Sequence, residues 1–222
     1  MSERIQVIGS GRVGSAVAAR LRERGVVVGP EAPELVLLCV PDGAIAEVAA
    51  SVEPGPWVAH VSGATPLAAL APHGRRFSVH PLQTFTRSRG PEQLDGAWAA
   101  VCAETDEARA AGFALARTLG LRPFELDDAA RTLYHAGAVF VSNYLVTLHA
   151  AATELFESAG APPEALEPLM RRTIENDFEL TGPISRGDWA TVDAHRAAIR
   201  EARPGLEELY ETLAGATAAI AT

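Results

Sequence analysis

The sequence predicts an α/β fold, a shortened doubly wound sheet over residues 1–126 followed by an all-α part over 127–222. Three observations predict it. Short apolar runs alternate with helical patterns as far as Leu126, which is the signature of an α/β layer. A Gly-x-Gly-x-x-Gly turn stands between the first strand and the first helix, and no strand signal remains after Leu126.

Residues 5–8 are the first apolar run, and residues 15–24 the first helix, where Val13, Val17 and Leu21 recur at helical spacing until Gly25 ends the pattern. Between them lie Gly9, Ser10, Gly11, Arg12, Val13 and Gly14. In a strand, turn and helix Gly9 permits the sharp bend, Gly11 lets a pyrophosphate approach the backbone, and Gly14 lets helix and strand pack closely. The helix N-terminus adds unpaired N–H groups and a positive dipole end. These six residues are the expected site of a dinucleotide, NADP or NAD.

Residues 26–28 read as a second strand and 35–40 as a third, buried on both faces because its apolar run is unbroken. Only six residues separate them, whereas a crossover between parallel neighbours needs a dozen or more. Either 26–28 is a vestigial or antiparallel edge, or the second strand and its helix have been pared to a loop. The end of this strand normally offers a carboxylate to a ribose hydroxyl or an Arg to a 2′-phosphate. Glu31 stands at about the right distance from the glycines for that, and reads equally well as a solvated loop residue between Pro30 and Pro33.

Pro41-Asp42 ends the third strand on the ligand edge, with Asp42 as a cap for a helix over 44–50. A strand over 57–62 and a short helix from Pro66 follow. A strand over 77–80 is broken by Pro81, whose missing donor ends the pairing. Strands over 97–103 and 123–126 flank a helix over 106–119.

From Asp127 the pattern is helical. One long helix is expected over 128–159, with Leu133, Gly137, Phe140, Tyr144, Leu148, Ala151 and Leu155 at spacings of three or four, closed by Gly160. Pro162-Pro163 opens the next helix, with Leu166, Leu169, Met170, Ile174 and Phe178 on one side, and Gly182-Pro183 ends it. Asp188 caps a helix over 189–200, and Pro204 opens the last, with Leu206, Leu209, Leu213 and Ile220 inward.

Composition narrows the chemistry. A formal charge of −9, with no Lys/Arg-dense run, argues against a general nucleic-acid or anionic-membrane binder. All 19 basic residues are Arg. Schiff-base chemistry, a P-loop and a Lys proton donor are therefore excluded, since guanidinium stays protonated. Cys39 and Cys102 sit inside apolar runs and read as buried thiols of a reducing compartment. With no signal peptide or membrane-spanning run visible, the expected location is cytoplasmic.

Pro41, Ser62 and His80 terminate central strands, at the edge where a nicotinamide would lie. His80 is the first candidate to handle a proton, because reduction of C=O or C=N needs a hydride and a proton near neutral pH; the alternative is a strand-end His bonded to backbone. Ser62 either holds cofactor or substrate, or caps Gly63-Ala64. On the long helix His135, Ser142 and His149 recur every seven residues, flanked by Val139 and Val146, so the row faces protein, as a site or as an internal polar row. His135 and His149 are roughly 21 Å apart by helix rise, too far for one ion, and no metal site is expected. Arg186, in a loop beside the helix opened by Asp188, is the anion candidate of the helical part, or else pairs with Asp188.

The glycine turn, Leu35-Val36-Leu37-Leu38-Cys39-Val40-Pro41-Asp42, His60-Val61-Ser62-Gly63, Val79-His80-Pro81-Leu82-Gln83, Ser142-Asn143-Tyr144-Leu145 and residues 180–188 together resemble the bacterial Rossmann-like proteins with a C-terminal helical domain of unknown function, in the 6-phosphogluconate dehydrogenase C-terminal-like superfamily. The His80-Pro81 pair is similar to that of prephenate dehydrogenases, without the rest of their motif. The resemblance implies a nucleotide-binding domain, a helical substrate and homodimerisation domain, and an NADP-linked oxidoreductase. It also implies that Asn143 meets substrate and that His135 replaces the Lys other members carry. The expected function is an NAD(P)-dependent oxidoreductase acting on a small anionic metabolite in a cleft between the two parts. The rival is a degenerate dinucleotide fold that binds a small ligand or a protein partner without redox chemistry.

Overall fold

A computed structural model describes residues 3–221. The chain divides into two compact units, one running to Phe140 and the other from Val141 onward.

The first unit is built on one seven-stranded sheet. Its strands are β1 (Arg4–Ile8), β2 (Val27–Val28), β3 (Leu35–Leu38), β4 (Trp57–His60), β5 (Arg76–Pro81), β6 (Trp98–Ala103) and β7 (Arg122–Glu125), in the order β2-β1-β3-β4-β5-β6-β7. Every pairing is parallel except β5 with β6. The helices are α1 (Arg12–Glu23), α2 (Ile45–Ala50), α3 (Asp106–Thr118) and α4 (Arg131–Val141).

Both faces of the sheet carry a core. On one, Val17 and Leu21 of α1 and Leu115 of α3 pack over Ile5, Leu35, Leu37 and Phe77. On the other, Ile45 and Ala49 of α2, with Leu67 and Leu70, cover Val36, Leu38 and Val58. Side chains alternate faces along a strand, so β3 divides its four buried residues between the two cores. Cys39 and Cys102 are free thiols and buried.

Two expectations change here, and one left open is decided. The second strand is a vestigial edge of two residues, β2, which runs parallel to β1 in the register Arg4↔Val27 and Ile5↔Val28. It stops at the level of Ile5, where β3 also begins. Residues 29–34 therefore only step across the amino end of β1, bonded at Gly29 N to Ile5 O (3.2 Å) and Glu34 N to Arg4 O (3.0 Å). Glu31 follows a strand that never reaches the carboxyl edge where Ile8 and Leu38 end. Pro81 does not break β5 but pairs with Ala99. Its missing donor faces the side of β4, whose pairing with β5 has already ended at Ser78, so no ladder bond is lost. Asp42 lies within a 3-10 turn, Asp42–Ala44, rather than capping α2.

The second unit is helical, with α5 (Asn143–Ser158), α6 (Leu166–Glu175), α7 (Trp189–Ala202) and α8 (Glu207–Ile220). Asp188 caps α7, accepting from Thr191 N (3.2 Å) and Thr191 Oγ1 (2.7 Å). Arg196 to Glu211, Arg200 to Glu207 and His195 to Tyr210 tie α7 to α8. The single helix expected over 128–159 is interrupted at Ser142, where φ is −115° and ψ is −74°. Helix α6 ends at Glu175, short of Gly182, because Asp177 (φ 52°) and Phe178 (φ 59°) turn left-handed. Leu213 and Ile220 are exposed rather than inward.

Candidate functional site

The turn from β1 into α1 sorts its glycines by duty. Gly9 has φ 115°, and a Cβ there would lie 2.3 Å from Cys39 O; one on Gly14 would lie 2.1 Å from Gly9 O. Both are closed by backbone. A Cβ on Gly11 would meet nothing within 4 Å. Gly11 is thus the open position, and no side chain caps the helix it precedes. The first N–H groups of a helix have no partner within it, so the turn at Gly11, Arg12 and Val13 offers uncapped backbone donors beside open space.

The second cluster lies at the carboxyl ends of β4 and β5. His80 Nδ1 and Tyr134 Oη are 2.8 Å apart. The His135 ring meets His80 edge-on at 6.0 Å. Gly63 separates the rings, since a Cβ there would lie 2.7 Å from His135 Cδ2 and 2.8 Å from His80 Nε2. Two residues expected to share chemistry, His80 and His135, are brought together by α4.

What holds α4 there is Arg131, 2% exposed. Its guanidinium donates to Asp128 Oδ1 (3.0 Å), to Ser62 O (2.9 Å) and to Ser78 Oγ (2.6 Å). The Asp128 carboxylate also accepts from Leu67 N at 3.1 Å. One ion pair thus fastens the start of α4 to the β4 exit and to β5.

Burial sets the protonation states. It lowers His80 to about 4, helped by His135 and Arg131. It lowers His60, fully buried on β4, to about 3, with Arg131 and His80 adding to the effect. His60 Nδ1 accepts from Ser62 N at 3.2 Å, while Nε2 has no partner among the described residues. Burial pushes Tyr134 up to about 12. At neutral pH His80 and His60 are therefore uncharged and Tyr134 keeps its proton, so His80 is a hydrogen-bonding group and not one that titrates near neutral pH.

Ser62 is buried and its hydroxyl is engaged within its own turn, accepting from Ala64 N (3.2 Å) and Thr65 N (2.9 Å) and donating to Thr65 Oγ1 (3.0 Å). It caps Gly63-Ala64. Pro41 stands where β3 leaves the sheet, at the start of a 3-10 turn. Asn143 and Arg186 belong to the second unit and are exposed. Thr191 holds the Asp188 carboxylate below its usual range, with a smaller contribution from Arg186. Val146 is 70% exposed and His149 is exposed too, so the row through His135, Ser142 and His149 is cut at Ser142: half-buried His135 faces protein as expected, and His149 does not.

A cavity of about 610 Å³ lies at the opposite edge of the sheet, over Ile5, Leu35 and Trp57 at the amino ends of their strands, away from these groups. Among the described residues no helix is long and apolar enough to cross a membrane.

Arg131, Tyr134 and Gly63 were not singled out by sequence reasoning. The one available signal was an Arg followed by an aromatic three residues on, one helical turn apart at the start of a helix.

A family model described as a domain of unknown function, DUF2520, matches residues 97–217. No curated protein matches the sequence. Among solved structures, the chain is similar to a Bacteroides fragilis protein described as a candidate NADP oxidoreductase, at 24% identity and TM-score 0.81 over 97% of each chain. A Thermotoga maritima protein matches at 21% identity and TM-score 0.77 over 98% of each. A reductive aminase of Aspergillus terreus, solved with NADPH and ethyl-5-oxohexanoate, matches at 16% identity and TM-score 0.66, over 98% of this chain and 93% of that one.

Proposed function

Because this chain belongs to the DUF2520 family, whose description names no activity, we propose its function from the site: an NAD(P)-dependent oxidoreductase acting on a small anionic metabolite. The observation that carries the reading is the open Gly11 position between two closed glycines, on the same sheet edge as the His80 and Tyr134 pair. The structures similar to the chain include an NADPH-bound reductive aminase and the candidate NADP oxidoreductase, and that likeness supports the cofactor class. The wider 6-phosphogluconate dehydrogenase C-terminal-like superfamily, and a distant relation to prephenate dehydrogenases through His80-Pro81, belong to the same reading.

Gly9, Ser10, Gly11, Arg12, Val13 and Gly14 bind the diphosphate. β1 and β5 are separated by three strand spacings, about 14 Å, so an extended dinucleotide runs along the edge past Pro41 and Ser62 toward His80. When bound, the nicotinamide supplies or accepts a hydride. Tyr134 donates its hydroxyl proton to His80 Nδ1 and so keeps a proton on Nε2, from which neutral His80 polarises a substrate oxygen or nitrogen. His135 forms the second wall of that pocket. Asn143, as the side-chain amide that meets substrate, and Arg186, as the partner of an anionic group, are the substrate-binding residues of the helical part. Residues 1–126 serve as the dinucleotide domain and 127–222 as the helical substrate and homodimerisation domain of a cytoplasmic protein.

The test is fluorescence titration of purified protein with NADH and NADPH. Micromolar binding that disappears in Gly11→Trp supports the enzyme. Silence with both cofactors favours a dinucleotide fold that binds a smaller ligand or a protein partner without redox chemistry, a reading for which the truncation of β2 at the level of Ile5 speaks.

A further inference from the structure

The turn at Gly11 has a second wall. A cavity of about 360 Å³ lies between it and the loop after β5, lined by Ser10, Gly11, Arg12 and Ser15 on one side and by Arg87 and Arg89 on the other. The chain runs from β5 to β6 through this loop, which folds back onto α1 instead of crossing directly to the antiparallel neighbour.

The loop is held from inside by one amide. Gln93 is 2% exposed. Its Nε2 donates to Arg89 O and Gly90 O (both 2.9 Å) and, longer, to Thr86 O (3.3 Å), while its Oε1 accepts from Thr86 N (2.8 Å). These bonds turn the loop carbonyls inward. Arg20 of α1, itself buried, then clamps the loop's exit, donating to Pro91 O and Asp95 Oδ2 (both 2.9 Å). Arg87 and Arg89 line the cavity together with the start of α1. Arg89 lies 3.7 Å from Glu92, whose carboxylate also accepts from Gly90 N. Arg12 and Arg87 have no charged partner among the described residues.

A protein with net charge −9 here places three arginines in the lining of one small cavity beside an uncovered backbone turn. We infer that Arg87 and Arg89, with Arg12, form a phosphoryl-binding wall contributed by the β5–β6 loop. It takes over the charge recognition that the end of a full-length second strand would supply. The ligand chemistry is a phosphoryl group of a dinucleotide, either its diphosphate or a 2′-phosphate. The inference rests on the dinucleotide reading proposed above, and the test keeps the two apart.

The experiment is calorimetric titration of the full chain with NADPH, NADH and inorganic pyrophosphate, at two salt concentrations. Wild type is compared with Arg87→Gln/Arg89→Gln and with Arg122→Gln, which removes one charge elsewhere. NADPH affinity should fall tenfold or more in the double variant, with a shallower salt dependence, and stay within twofold in the control. Equal weakening of NADH and NADPH assigns the wall to the diphosphate, and weakening of NADPH alone assigns it to a 2′-phosphate. A double variant that binds NADPH within twofold of wild type overturns the inference and leaves the proposed function standing. If wild type binds neither dinucleotide, the proposed function falls. Pyrophosphate then decides: binding lost in the double variant keeps the wall, and no binding by wild type overturns it. A Gln93→Leu variant, which unties the loop while keeping every arginine, should weaken whichever ligand wild type binds.

Discussion

Gly9 and Gly14 are glycines because a side chain would strike backbone, whereas Gly11 is a glycine with nothing in its way. The difference predicts opposite phenotypes. Gly9→Ala forces an alanine to φ 115° and against Cys39 O, and Gly14→Ala drives a methyl into Gly9 O; each should cost about 1–3 kcal/mol or more, read as a fall in the urea midpoint. Gly11→Ala should leave stability within about 0.5 kcal/mol while weakening dinucleotide binding. A stable Gly9→Ala protein, or an unstable Gly11→Ala one, contradicts this assignment. The buried imidazoles give a second prediction. His60, at about 3 in the fold, takes up its proton near 6.5 when unfolded. The unfolded chain therefore binds a proton that the folded chain refuses between these values. Stability is fully present above pH 6.5 and is lost as the pH falls toward 3. Between pH 6 and 5 the loss approaches about 1.4 kcal/mol per pH unit from this one group. Urea midpoints from pH 7.5 to 5 should show that slope with a similar one from His80, at about 4, added to it, and His60→Gln should remove about half of the total; an unchanged slope in the variant would mean that His60 is not held neutral.

At the scale of elements, α4 is the piece that turns a sheet edge into a site, and Arg131 fixes where it starts. Its removal strands the Ser62 carbonyl and the Ser78 hydroxyl without a donor and releases Asp128. Arg131→Met should therefore lose roughly 2–5 kcal/mol. Lysine should not rescue it, because the three partners are met by three separate nitrogens of one planar guanidinium, and a single ammonium nitrogen cannot stand within reach of all of them. Chemical denaturation checks the magnitude, and a loss under about 1 kcal/mol would make Arg131 a bystander. The sheet itself was legible in the sequence, since apolar runs of strand length bounded by Gly and Pro are local signals. The break at Ser142 was not, because helical spacing passes through it with no Gly or Pro to mark it. Nor was the early end of α6, set by left-handed Asp177 and Phe178 where Gly182-Pro183 offered the more obvious stop. Gly11 could be found from its motif, but the His80 and Tyr134 pair spans 54 residues. That contact exists only once the Arg131 anchor fixes the rotation of α4, which no periodicity encodes.

At the scale of the molecule, the two units differ in how they bury apolar surface. The first has layered cores on both faces of its sheet, whereas the buried apolar residues described in the second are Leu166, Val192, Ile199 and Ala214. Over the same stretch Val146 (70%), Phe178 (71%) and Ile220 (76%) stand in solvent, with Leu145, Leu169 and Ile174 also exposed. A helical unit with so small a core is marginal on its own, and apolar exposure spread over three of its helices is what an obligate interface leaves behind when one copy is viewed alone. That imbalance is the reason for proposing a homodimer through the helical part. Light scattering coupled to size exclusion should give a dimer at micromolar protein. The melting temperature should rise with protein concentration, because association stabilises the folded state by mass action. Val146→Asp with Phe178→Asp introduces charges at exposed positions where a monomer would tolerate them, so their effect isolates the interface. The double variant should run as a monomer, melt lower and bind a hydrophobic dye. A wild-type monomer whose melting temperature ignores concentration would refute the dimer and leave the exposed apolar residues of α5 and α6 without the partner proposed for them.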